Sequence, residues 1–144
     1  MAIGCAGSNF SRGWDHLSKE NYTAAISEFD TAATIKENPQ LYFGYFQAYM
    51  GIHDFENAKK YLTIGIGKYP EDAWLNLCAG HWYMLRGNDP QKALYYYELA
   101  GKLRFANPTN TMHKTMDKYI AQAKAKIILD SLDSLSSENI ETPK

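Results

Sequence analysis

The 144-residue sequence predicts an all-α fold, three helical hairpins in succession closed by one long helix. Three observations carry that prediction. An apolar stripe at helical spacing returns every 33 to 35 residues, small residues return at matching places inside it, and Gly, Asn, Asp and Pro punctuate the joints.

The stripe is clearest in the second helix of each hairpin. Tyr22, Ala25, Ile26, Phe29, Ala32 and Ile35 form its first copy. Phe55, Ala58, Leu62 and Gly65 follow 33 residues later, and Pro90, Ala93, Leu94, Tyr97, Ala100 and Leu103 another 35 beyond. The alanines (25, 58, 93) and the small residues (32, 65, 100) keep the same offsets. A preceding helix aligns Gly13 with Phe46 and Gly80, and His16 with Tyr49 and Tyr83.

The joints read as stops and starts. In Gly87-Asn88-Asp89-Pro90 the glycine ends a helix, the aspartate caps the next, and the proline takes its first position. His53-Asp54-Phe55 and Glu20-Asn21-Tyr22 occupy the same corner in the other units, and the third unit's extra residue falls in this turn. Asn38-Pro39, Tyr69-Pro70 and Asn107-Pro108 are expected to end the second helices, because proline drives its predecessor out of the helical region.

In Ala48-Tyr49-x3-His53-Asp54-Phe55-x2-Ala58 and in Gly80-x2-Tyr83-x3-Gly87-Asn88 with Ala93, the chain resembles the tetratricopeptide repeat family. The resemblance covers about residues 6–108. It implies a right-handed α-α superhelix of three such hairpins with a long C-terminal capping helix. The corresponding division is a flexible start over 1–7, one repeat domain over 8–136 and a disordered tail over 137–144. Units span about 6–38, 39–71 and 72–108, with the terminal helix at 109–136. Three residues depart from the family pattern. Phe46 stands where Gly or Ala is usual, so the middle hairpin is expected to open or shift locally. Lys68 replaces an apolar residue, and Asn76 replaces a large apolar one.

Met112, Met116, Ile120, Ala123 and Ile127 give the terminal helix its own stripe, fit to cover the last hairpin's apolar face. Ile128, Leu129, Leu132 and Leu135 carry apolar character further than one hairpin can cover. From Ser136 onward the polar composition is that of a disordered tail.

Composition narrows the functional classes. Lys and Arg number 15 against 16 Asp and Glu, for a net charge of -1, which argues against a nucleic-acid partner. Two cysteines cannot build a disulfide framework, and no run approaches the ~20 apolar residues of a membrane span. The unusual figure is the aromatic share, 14%, with 11 Tyr, 6 Phe and 3 Trp.

Catalytic and cofactor patterns are missing. The histidines at 16, 53, 81 and 113 are scattered, with no carboxylate at ligand spacing, so neither a metal nor another cofactor is expected. Gly65-Ile66-Gly67-Lys68 lacks the spacing of a phosphate loop and reads as a helix terminus. Asn21-Tyr22-Thr23 matches a glycosylation acceptor, a tripeptide common by chance. No Ser or Cys has a recognisable base, so an enzyme, or a direct small-molecule substrate, is not expected.

Stacked hairpins of this family line a concave groove with their first helices, and the resemblance implies which residues lie there. They are Phe10, Trp14 and Leu17 from unit one, Phe43, Gln47 and Met50 from unit two, and Trp74, Leu77, His81 and Met84 from unit three. The set is aromatic, methionine-rich and almost uncharged, whereas family members that grip a peptide carboxylate place Lys, Arg and Asn here. Such stripes are also the ordinary make-up of a helical core. The expected function is a protein-interaction module, an adaptor, scaffold or chaperone-like protein, that binds an apolar peptide or amphipathic segment. Three units and a long closing helix are similar in architecture to small bacterial secretion chaperones. Cytoplasmic residence is expected. One alternative is self-association through groove and terminal helix into a homo-oligomer. Another reads Ala2-Ile3-Gly4-Cys5-Ala6-Gly7-Ser8 as the end of a bacterial lipobox, making Cys5 the lipid anchor of a periplasmic or outer-membrane assembly factor, with membrane contact only in that case. The lack of an apolar region before Cys5 favours a free thiol.

Overall fold

A computed structural model describes residues 6–103 and 111–138, and every described element is α-helical. The helices are α1 (Ala6–Ser18), α2 (Tyr22–Ala33), α3 (Pro39–Gly51), α4 (Phe55–Lys68), α5 (Ala73–Leu85), α6 (Pro90–Leu103) and α7 (Thr111–Glu138). Two compact units divide the chain between Cys78 and Ala79, inside α5.

In the first unit α1 packs on α2, α2 on α3, and α3 on α4. The contact at its centre is a ring set into two glycine notches. Phe29 of α2 is fully buried, and a Cβ added at Gly13 of α1 would stand 2.5 Å from its ring, one at Gly44 of α3 2.6 Å. Only the absence of two side chains lets three helices close on that ring. Ala25, Ala32, Leu41, Tyr45 and Ala48 complete the cluster, all at most 3% exposed. Between α3 and α4 the allotment is reversed. The glycine is Gly65 on the second helix, where an added Cβ would stand 2.7 Å from the Cβ of Tyr42 on the first. Phe46 causes no opening here. It is buried, and so is the smaller Leu62 that stands in α4 where α2 carries Phe29.

In the second unit α7 packs along α6. It runs antiparallel to it: Glu98 and Lys102 line one recess with His113 and Asp117, while Asp89 and Gln91 line another with Asp130 and Ser134. The notch recurs, since a Cβ at Gly80 would lie 2.4 Å from the ring of buried Tyr97. Ala25, Ala58 and Ala93 are each 0% exposed, as close-packing positions require.

The hairpin corners share one backbone solution. Glu20, His53 and Asn88 each adopt positive φ, at 59°, 61° and 45°. The next amide then reaches back to the preceding helix: Asn21 N–H to His16, Asp54 to Tyr49 and Asp89 to Tyr83, at 2.9, 2.9 and 3.0 Å. The last loop is one residue longer, which is where the extra residue was expected. Asp54, Asp72 and Asp89 cap the following helices by accepting from the amides of Asn57, Leu75 and Lys92. Asn21 makes no such side-chain bond.

Several boundaries differ from expectation. Asn38-Pro39 does not end α2, which stops at Ala33. It opens α3 instead, with Asn38 accepting from Leu41 N–H at 2.9 Å and Pro39 at the first turn. Asn107-Pro108 lies outside the described residues. Helix α7 continues through Glu138, so Ser136 and Ser137 are helical and not part of a tail; their hydroxyls bond back to Asp133 and Ser134 carbonyls. At the chain start α1 begins at Ala6, inside the segment expected to be flexible.

The other two departures are absorbed locally. Lys68 pairs with Glu37 and lies over the Tyr42 ring, keeping its charge at the surface while its stem covers apolar area. Asn76 is fully buried, and its amide donates to the carbonyls of Pro70 and Asp72 at 2.9 and 2.8 Å, pinning the α4–α5 connection.

The notch generates a testable coupling. Gly13→Ala should destabilise the chain by about 1–3 kcal/mol, because the ring it meets has helices on both sides and cannot swing away. Phe29→Leu in the same chain should recover part of that loss, so the two denaturation midpoint changes will not add. Strict additivity would show that glycine and ring do not meet.

Candidate functional site

The first helices of the first unit bring four rings together. Phe10 and Trp14 lie one helical turn apart on α1, Phe43 sits on α3, and Trp74 opens α5. Trp14 stacks on Phe43 with centroids 5.6 Å apart and planes at 27°, and Phe43 meets Trp74 at 5.7 Å and 48°. Phe10 meets Trp14 edge-on at 6.2 Å. Rings at this spacing stabilise one another beyond their burial. They also form a continuous strip across three helices.

The strip is half-buried. Phe10, Trp14 and Leu17 pack against the Phe29 cluster from one side, and Trp14 lies 5.8 Å from the Phe29 ring. Met50, Phe43 and Trp74 are partly covered as well, and only Gln47 of the expected set is exposed. These rings are therefore partly buried and partly open to the surface.

The remaining expected residues divide. Leu77 is 5% exposed and faces the interior, so it does not line an open surface. The α5 helix is so apolar that a spacing rule alone could not tell its buried face from its open one. In the second unit His81 is held edge-on between Tyr97 at 5.5 Å and Tyr119 at 4.7 Å, and Met84 is half-buried. Burial disfavours the imidazolium and lowers the His81 pKa. Cys78 is also shut away, and burial pushes its thiol far up. Cys5 lies outside the described residues.

A second aromatic group went unnoticed in the sequence. Tyr45 and Tyr49 of α3 stack with Tyr61 of α4 at 4.3 and 5.3 Å, and the Tyr45 hydroxyl donates to Asp30 at 2.7 Å. Burial raises the pKa of both α3 phenols, that of Tyr49 to about 12. The signal was available as tyrosines four apart on one helix, but only the fold brings Tyr61 beside them.

Among the described residues no cluster of three or more His, Cys, Asp or Glu could hold a metal ion, and no helix is long and apolar enough to cross a membrane. Charged groups near the strip are engaged at the surface: Arg12 and Asn9 bind Glu28, and Lys19 binds Asp15. Their hydrogen bonds hold both carboxyls below the usual range. No protein-family model matches the chain, and no curated protein matches it in sequence.

His81 supplies a pH prediction. Its folded pKa lies below the ordinary 6.5, so the unfolded chain takes up this proton first. The stabilisation is full above pH 6.5 and is lost as the pH falls below it. The denaturation midpoint should drop between about pH 7.5 and about pH 5.5, and drop less in His81→Phe. Equal slopes for both proteins would place the imidazole in water.

Proposed function

We propose that this chain is a non-enzymatic protein-interaction module of the tetratricopeptide-repeat kind, which holds an apolar peptide or the apolar face of an amphipathic helix. The observation that carries the reading is the strip Phe10–Trp14–Phe43–Trp74, four partly exposed rings in contact across three helices. Exposed aromatic edges on a rigid base offer large contact area with little rotamer entropy to lose. Met50 beside them adapts to varied side chains. The strip carries no Lys, Arg, Asp or Glu of its own, which disfavours a charged peptide terminus as ligand.

The repeat reading draws support from the corners. Three positive-φ residues at equivalent places, each followed by a back-reaching amide, make the hairpins copies of one local design. The non-enzymatic reading draws support from Cys78, a buried thiol whose pKa burial pushes far up.

The test uses a photo-crosslinking residue at the exposed position 47, one helical turn from Phe43 on α3. It should capture a partner from native extract that the same residue at exposed position 63 on α4 does not. Trp74→Ala should weaken that partner's binding by about 2 kcal/mol or more, with most of the thermal stability retained. If Trp74→Ala instead lowers stability by about 3–5 kcal/mol and leaves affinity intact in the folded fraction, the ring is core and the strip is not the binding surface.

A further inference from the structure

We propose that Tyr45 is a one-electron redox site, a buried phenol that yields its electron through Tyr61 and its proton to Asp30. The site lies in the first unit and shares no residue with the aromatic strip.

Stacked phenols make the route. The Tyr45 ring of α3 lies 4.3 Å from that of Tyr61 on α4, centroid to centroid, with planes at 21°. Tyr49, one turn further along α3, stacks on Tyr61 at 5.3 Å and 8°. Tyr45 is only 3% exposed, whereas Tyr61 is partly open. A bulky oxidant at the surface therefore reaches Tyr61 and not Tyr45. Rings in van der Waals contact then pass an electron readily.

Contact alone would let the hole settle on any of the three rings. Hydrogen bonding decides between them. Oxidation turns a phenol into a strong acid, so the hole is stable only where its proton can leave at once. Tyr45 has such an acceptor, since its hydroxyl donates to Asp30 Oδ1 at 2.7 Å. The Tyr49 hydroxyl meets that of Tyr61, another phenol and a poor base. Burial pushes the Tyr45 pKa up, so its phenolate does not form beforehand and proton and electron leave together.

Nearby cations sharpen the choice. The Lys60 ammonium stands 5.5 Å from the centre of the Tyr61 ring, and Lys68 stands 5.6 Å from that of Tyr42. A cation over a ring attracts its electrons, which makes removing one harder. Tyr42 also has a carboxylate near it, Glu37, but Lys68 is paired with that group. Tyr45 has an anion at its hydroxyl instead.

The step balances. One electron passes from Tyr61 to a one-electron oxidant, such as a metal complex in its higher oxidation state, and Tyr45 refills Tyr61. The O–H bond of Tyr45 breaks and Asp30 takes the proton. A neutral phenoxyl radical then faces a neutral carboxylic acid, so no new charge is created beside the buried ring. Shielded in this way, the radical outlives one formed on an exposed ring such as Tyr95.

The test oxidises the whole chain with photogenerated ruthenium(III) tris-bipyridine and reads freeze-quenched samples by electron paramagnetic resonance. A long-lived tyrosyl signal is expected, and Tyr45→Phe should abolish it. Asp30→Asn keeps an oxygen to accept the hydrogen bond but cannot take the proton. It should lose the signal with its circular dichroism unchanged. Asp30 is exposed, so this variant answers even if Tyr45→Phe fails to fold. A signal of native size in either variant would overturn the proposal, as would a native chain that gives no tyrosyl signal. Tyr61→Phe should slow the rise of the signal, and an unchanged rate would overturn the route through that ring.

Discussion

Everything in the first unit depends on one buried ring having nowhere else to go. Phe29 fills the space that Gly13 and Gly44 leave open, and three helices take their separation from it. Burying a phenylalanine completely is worth roughly 1.5–3 kcal/mol relative to leaving it exposed. Its larger effect is geometric. A ring touching both neighbours fixes how closely α1 and α3 approach α2, and that approach brings Trp14 over Phe43. The candidate binding strip is thus a by-product of how the core closes.

Much of the helical architecture was legible because it rests on local rules. Alanines at 25, 58 and 93 announced close approaches, and each is fully buried. The Asp89-Pro90 start was readable from capping chemistry alone. Asn38-Pro39 misled for an instructive reason. The same two residues can end one helix or begin the next, and the choice depends on whether Asn38 finds the Leu41 amide. The helical Ser136 and Ser137 misled too, since hydroxyls that bond their own helix remove the cost that polar composition suggests.

The site was legible only in part. The resemblance had placed Trp14, Phe43 and Trp74 together, and their rings do meet across three helices. It placed Leu77 wrongly, because a helix apolar on nearly every side gives no period to read. His81 was grouped with Trp74, whereas two rings it meets, Tyr97 and Tyr119, come from α6 and α7. Partners that distant in sequence leave no trace in a helical period. The Tyr45–Tyr49–Tyr61 stack escaped for the same reason.

The alternation of ring and glycine also acts as a key. Phe29 and Tyr97 sit on second helices and need a glycine on the first; Tyr42 sits on a first helix and needs Gly65 on the second. A first helix matched with the wrong second helix would press ring on ring or leave two notches empty. The hairpins look like copies, yet they are not exchangeable parts. During folding the mismatch penalises out-of-order docking, a hazard for any chain made of similar segments. It also means that duplicating or swapping one hairpin would carry an incompatible lock, so this array can be lengthened only by changing rings and glycines together.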